Sequence, residues 1–184
     1  MKDIIQKYRE EKDEAVLVNF KFIHNGSTEY STVDDLNYNK RKELILFLYN
    51  NYGINDKPLI KWLLSQEIKS HREADTSVFT IEICAFMLYK VMEIEDIYTL
   101  YEAKFGAGSD LQFTVDIELL FGFDKEKTKT YLNEKQKNKR KNRAILKAIE
   151  YYEKNSNAVF KTREQYIEYF ENKRIKNIIA DLDA

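Results

Sequence analysis

The sequence predicts a mainly α-helical fold of about eight helices in antiparallel pairs, arranged as a short HEAT-like α-solenoid or a multi-helix bundle. Three observations carry this expectation. The chain of 184 residues holds one proline and five glycines, against average usage of roughly 5% and 7%, so the punctuation that short-strand folds need is mostly missing. From residue 37 onward, apolar residues recur at three- and four-residue steps, the period of an amphipathic helix. The segment 78–92 is apolar around most of the circumference a helix would present, as in a helix buried at the centre of a core.

Residues 2–14 are expected as a first helix with Ile4, Ile5 and Tyr8 on one side. Residues 16–33 admit two readings. Val16, Val18, Phe20 and Phe22 alternate in period two, and Asn25-Gly26 precedes the β-prone stretch 27–33, which together signal a small β-hairpin. Tyr8, Ala15, Asn19 and Ile23 also fit helical spacing, which would extend the first helix through Ile23.

Leu44, Ile45, Phe47, Leu48 and Tyr49 mark a helix expected to stop at Gly53, a residue type suited to that end. Asp56, Lys57 and Pro58 then place a capping side chain before a first-turn proline, with Leu59, Trp62, Leu63 and Ile68 following. Asp75 or Thr76 is expected to cap the central apolar helix. Beyond it, 94–105 and 113–121 read as helices ending at Gly106 and Gly122, so an aromatic-then-glycine stop recurs at Tyr52-Gly53, Phe105-Gly106 and Phe121-Gly122. Asp124 is placed to cap a helix through Tyr131 and Leu132. A long helix is expected at about 137–154, with Ile145, Ala148, Ile149 and Tyr152 on one stripe. Thr162 and Asn172 each begin a terminal helix, carrying Tyr166, Tyr169, Phe170, Ile175 and Ile178 between them. Short linkers imply antiparallel neighbours. No repeat with convincing identity supports the solenoid, although spacing alone can survive divergence.

The length suits a single domain over 1–184, with 1–36 as the less defined segment and 37–184 as the helical core. At 43% hydrophobic and 14% aromatic residues, the chain is too apolar to stay disordered despite 33% charged residues. Its lone Cys84 excludes an internal disulfide and a thiolate zinc cluster and reads as a small buried hydrophobe. The N-terminus lacks the apolar run of a secretory signal. The apolar segment 78–92 is shorter than the ~20 residues that span a bilayer and contains Glu82 and Lys90. A cytoplasmic protein with no membrane partner is therefore expected. Richness in Lys, Asn, Ile and Tyr hints at an AT-rich, bacterial coding genome.

Candidate chemistry is sparse. Glu67 and His71 lie one turn apart, so with Glu102 or Asp116 they form the metal or general-base set of an enzyme alternative. No second histidine or HExxH pattern supports it, and an exposed i,i+4 pair is the simpler reading. His24, beside Asn25-Gly26, reads as a loop residue. Asp116 and Glu118 are two apart, so on a helix they diverge by roughly 200° and read as surface groups. Glu82, with Lys90, is expected to mark an edge of the apolar helix that reaches solvent. Residues 105–110 hold two glycines without the Lys-Ser/Thr of a phosphate loop. There is likewise no GxSxG nucleophile elbow. No cofactor is expected.

Charge layout is the most informative feature. The net charge of −1 hides two opposed blocks: residues 73–124 carry eleven acids and two bases, and residues 125–147 carry ten bases and two acids. The favoured expectation is a non-catalytic protein-interaction module, of the immunity or adaptor type, that offers Tyr98, Tyr101, Glu102, Asp110, Asp116 and Glu118 to a basic protein partner. This is an analogy of type and not a motif match. A second alternative is nucleic-acid binding by the basic helix 135–147 through Lys137, Lys139, Arg140, Lys141 and Arg143. Aromatic interleaving is absent from that run, which counts against it. Oligomeric state is not legible.

Overall fold

The computed structural model describes residues 1–29 and 32–183. Among these residues ten α-helices follow one another: α1 (Lys2–Glu11), α2 (Tyr38–Tyr49), α3 (Lys57–Ala74), α4 (Val78–Lys90), α5 (Ile97–Phe105), α6 (Asp110–Thr114), α7 (Lys125–Glu134), α8 (Lys139–Glu153), α9 (Arg163–Tyr169) and α10 (Ile175–Asp183). Short 3-10 segments link several of them, and among the described residues there is no strand. The all-helical class is as the sequence predicts.

Helix α4 forms the axis. Every residue from Thr80 to Tyr89 is buried, and the helix packs against α2, α3, α5, α6, α10 and the 3-10 segment Ile117–Phe121. Each large side chain withdrawn from water contributes ~1.5 to 3 kcal/mol, so this helix supplies a large share of the core. Its cap is neither Asp75 nor Thr76: Ser77 Oγ accepts from Phe79 N at 3.3 Å. Asp75 instead closes α3 with φ 49°, a left-handed conformation that Asp tolerates better than most residues. Cys84 is buried as expected.

The N-terminal region follows neither sequence reading. A 3-10 segment, Glu14–Phe20, follows α1, and the chain then runs extended to an antiparallel bridge between His24 and Asp35. Asn25 N donates to Asp34 O, and Leu36 N to Ile23 O, each at 3.0 Å. Polar side-chain anchors, described below, hold this loop where a strand ladder was expected. Tyr30 and Ser31, central to the expected second strand, lie outside the described residues.

Two turns share one construction. Gly53, with φ −143°, is extended and starts the 3-10 turn Ile54–Asp56, while α2 already ends at Tyr49. Asp56 does not cap α3, because its carboxylate folds back to accept from Gly53 N at 2.9 Å. Asp96 does the same to Glu93 N at 2.8 Å, ahead of α5. Each aspartate also draws a cation from an earlier helix: Arg9 of α1 donates twice to Asp56 at 2.8 Å, and Lys61 of α3 donates to Asp96 at 2.8 Å. Helix α1 is thereby tied to the start of α3, and α3 to the start of α5.

Three further boundaries differ from the sequence reading or sharpen it. Residues 113–121 are not one helix: α6 breaks at Val115, with ψ 116°, and Ile117–Phe121 is a separate 3-10 segment. Gly122 does end that segment, at φ 63°, and Asp124 caps α7 by accepting from Lys127 N at 2.8 Å. Thr162 caps α9 in a reciprocal box with Gln165. Asn172 starts no new helix, because it sits inside a π-turn, Phe170–Arg174, joining α9 to α10. From that turn Phe170 stacks on Phe86 of α4 at 3.8 Å and 7°.

Candidate functional site

On α5, Tyr98, Tyr101 and Glu102 occupy positions three and four apart, so one face carries all three. That face meets the first turns of α8. Tyr98 Oη donates to Asn142 Oδ1 at 2.7 Å, Lys141 Nζ pairs with Glu102 at 2.7 Å, and the same ammonium lies 5.9 Å from the Tyr98 ring centroid. Nearby, Glu95 accepts from Tyr131 Oη at 3.2 Å and pairs with Lys135 at 3.4 Å. Two ion pairs, Glu95 with Lys135 and Glu102 with Lys141, thus join the acidic block to the basic one.

The remaining expected acids are not gathered on this face. Asp110 is exposed on α6, within 3.4 Å of Ser109 Oγ. Asp116 is half-buried and Glu118 is buried, in the segment after the Val115 break. Glu118 accepts from Lys161 N at 3.4 Å and lies 3.8 Å from Lys161 Nζ. Glu93, Asp96 and Glu82 are likewise engaged by Lys57, Lys61 and Arg174. Most of the acidic block serves as internal counter-ions, so the six residues named from sequence do not make one acidic surface.

The bases behave differently. Lys137, Lys139, Arg140, Arg143 and Lys147 are exposed, and among the described residues none forms an ion pair with a carboxylate. Lys139, Arg140 and Lys141 open α8, whose first turn holds no acid and whose N-cap Asn138, at φ 62°, makes no side-chain cap. Cations there oppose the helix macrodipole, at a cost of ~0.3 to 1 kcal/mol each. A groove of about 740 Å³ runs beside them, lined by Tyr101, Asn138, Lys139, Arg140, Lys141 and Ala144. On the other side of α8 a groove of about 220 Å³ is lined by residues including Lys135, Gln136, Lys139 and Arg143. A third, of about 480 Å³, continues past Lys141 to Lys69 and Arg72.

Asn142 fixes this corner. It is buried, and its Nδ2 donates to the carbonyls of Leu132, Lys135 and Lys137 at 3.0, 2.9 and 3.3 Å. One amide thus closes the α7 to α8 turn and orients Tyr98. Nothing in its sequence setting singles it out.

Glu67 and His71 are not the exposed pair expected from sequence. Glu67 is fully buried and Arg41, also fully buried, donates from Nε to Glu67 Oε1 and from Nη2 to Asp35 Oδ2, each at 2.5 Å. Thr80 Oγ1 donates to Glu67 at 2.5 Å, Ser70 Oγ to Asp35 at 2.7 Å, and Arg41 Nη1 to Phe20 O at 3.2 Å. Burial alone would raise the Asp35 pKa, but the bonds from Arg41, Ser70 and Asn37 N outweigh it and hold the carboxyl below its ordinary range. His71 turns away, with Nδ1 2.5 Å from Thr76 O. Among the described residues no three His, Cys, Asp or Glu side chains are placed to hold a metal ion. His24 is a loop residue, its Nδ1 accepting from Gly26 N at 2.9 Å.

Glu82 does not reach solvent. It is 1% exposed and accepts from Arg174 Nε and Nη2 at 2.6 Å each, while Lys90 pairs separately with Glu171. Burial pushes the Glu82 pKa up to about 7, with Arg174 pulling it back and nearby Asp116 adding to the rise. Lys104, 2% exposed, is a further buried charge that sequence reasoning missed. Its Nζ donates to Gln112 O and Val115 O at 2.5 Å each, which secures the Val115 break. Burial lowers its pKa to about 8, against the attraction of Asp116 and Glu118.

Compared with protein-family models, with curated proteins and with solved structures, the chain matches none.

Proposed function

We propose that this chain is an interaction module that meets an anionic partner on the face built by α5 and the N-terminal half of α8. One observation carries the reading: Lys137, Lys139, Arg140, Arg143 and Lys147 are exposed without internal counter-ions, whereas the neighbouring carboxylates Glu95 and Glu102 are engaged. Like charges held together at the positive end of a helix destabilise the isolated fold, and a partner of opposite charge relieves that strain. The partner's sign is thus the reverse of the one expected from the acidic block. Tyr98 and Tyr101 remain part of the face, flanking the cations from α5.

The test is site-specific crosslinking in the native host. A photoreactive residue replacing Ala144, which lines the larger groove, should give macromolecular adducts. The same residue replacing the exposed Lys176 of α10 should give none. Combining Lys139→Glu, Arg140→Glu and Arg143→Glu should abolish the adducts at 144. Equal labelling from both positions, or none from 144, removes the reading.

A further inference from the structure

Resting on that reading, we infer that the anionic partner is a nucleic-acid strand whose phosphates follow the basic ridge of α8. Three features favour it over an acidic protein. First, the ridge is a row: Arg140, Arg143 and Lys147 succeed one another at three- and four-residue steps, or ~4.5 and ~6 Å of helix rise. Lys139 and Lys137 continue the row into the α7 to α8 turn, and a linear array of this kind suits a charged backbone.

Second, no large hydrophobic side chain stands fully exposed on the face. The large hydrophobic side chains that stand exposed, from Val18 at one end of the chain to Ile179 at the other, all fall outside α5 and outside residues 132–147. Protein interfaces centre on buried aromatic or apolar anchors and deplete charge there, whereas nucleic-acid interfaces are more polar and far more positive. Third, the ridge is bordered by an aromatic edge. Tyr101 lines the 740 Å³ groove beside Lys139, Arg140 and Lys141, where a base leaving the backbone finds a ring to stack on. The aromatic interleaving absent from the basic run is supplied across space by α5.

The inference is tested with the full chain by fluorescence anisotropy, using labelled ~20-nucleotide single-stranded DNA and RNA and the matching duplexes over a salt series. Five phosphate contacts give a slope of log K against log salt of about −3.5 for a single strand or about −4.5 for a duplex. The triple variant Lys139→Glu, Arg140→Glu, Arg143→Glu should weaken binding at least tenfold, with folding verified by thermal melting. A neutral pair, Lys137→Gln with Lys147→Gln, should flatten the slope by roughly two contacts. Reversal of Lys173 and Lys176 should leave binding unchanged. Binding to no nucleic acid at low salt, or binding indifferent to the ridge variants, overturns the inference. Ridge-dependent binding of polyglutamate without nucleic acid overturns the strand and keeps the interaction module. Failure of both ligands, with no adducts at 144, removes both.

Discussion

Arg174 grips both carboxylate oxygens of Glu82, at 2.6 Å each, and so joins the π-turn of the terminal helix to the middle of α4. The pair lies beside the Phe86 to Phe170 stack, so one polar and one aromatic contact fasten the C-terminal helices to the core. Desolvation sets the energetics. Taking two charges out of water costs several kcal/mol per ion, and only good geometry offsets this.

A pH dependence follows. Burial lifts the Glu82 pKa from 4.5 to about 7, so between those values the folded chain holds a proton that the unfolded chain has released. The stabilising contribution is complete below pH 4.5 and is lost as pH rises through about 7. Against a Glu82→Gln variant, which cannot titrate, the wild type should lose about 3 kcal/mol between pH 4.5 and 7.5. Urea unfolding of both proteins across that window measures the difference. A flat difference would mean that Glu82 ionises at its ordinary pH.

Arg41 is the common donor of the Asp35, Glu67 and Phe20 contacts. Replacing it with Met leaves two buried carboxylates without their counter-ion, for which a loss of ~3 to 5 kcal/mol is expected. Because Asp35 anchors the loop through Ile23 N and Asn37 N, the amides of Asn25 and Leu36 should lose exchange protection before those of α4. Hydrogen exchange with denaturant unfolding reads both quantities. A loss below ~1 kcal/mol would show that the network adds little beyond packing.

Gly122 combines φ 63° and ψ −137° with a neighbour that leaves no room, since an added Cβ would lie 2.8 Å from Thr128 Oγ1. That hydroxyl donates to Phe121 O at 2.9 Å, so it cannot retreat without leaving a buried carbonyl unpaired. Gly122→Ala should cost ~2 kcal/mol through backbone strain and the displaced hydroxyl. Gly53→Ala, at φ −143° with nothing within 4 Å, should raise stability by ~0.4 to 1 kcal/mol by reducing the freedom of the unfolded chain. Equal effects at the two positions would contradict the backbone argument.

What could be read from sequence tracks how local the determining physics is. The apolar run of α4 and the caps Asp124 and Thr162 announce themselves within one turn. Asp56 looks like a cap too, yet its carboxylate serves the turn before α3, as Asp96 serves the turn before α5, because composition does not say which N–H a carboxylate chooses. The break at Val115 has no glycine or proline to mark it and depends on Lys104, a residue with no apparent role in the sequence. Glu82 stands out as polar in an apolar helix, but its partner lies 92 residues away. The charge blocks were visible as counts. Which charges are neutralised and which stay free is decided by contacts between elements far apart in sequence: Glu102 meets Lys141 of α8, Asp96 meets Lys61 of α3, and Glu82 meets Arg174.

The free cations also make a prediction about stability that is independent of any ligand. Lys139 and Arg140 occupy the first turn of α8, where the helix dipole is positive and no acid offsets them. Exchanging both for Glu turns two unfavourable interactions into favourable ones, each worth ~0.3 to 1 kcal/mol. The double variant should therefore be more stable by roughly 1 to 4 kcal/mol and unfold at higher denaturant, with the gain shrinking at high salt as screening grows. The same change should weaken binding on the ridge, so stability and binding move in opposite directions, as expected where a site is kept at the expense of the fold. A destabilised double variant would mean that these lysine and arginine side chains make contacts the fold requires, and their exposure would then no longer mark a binding face.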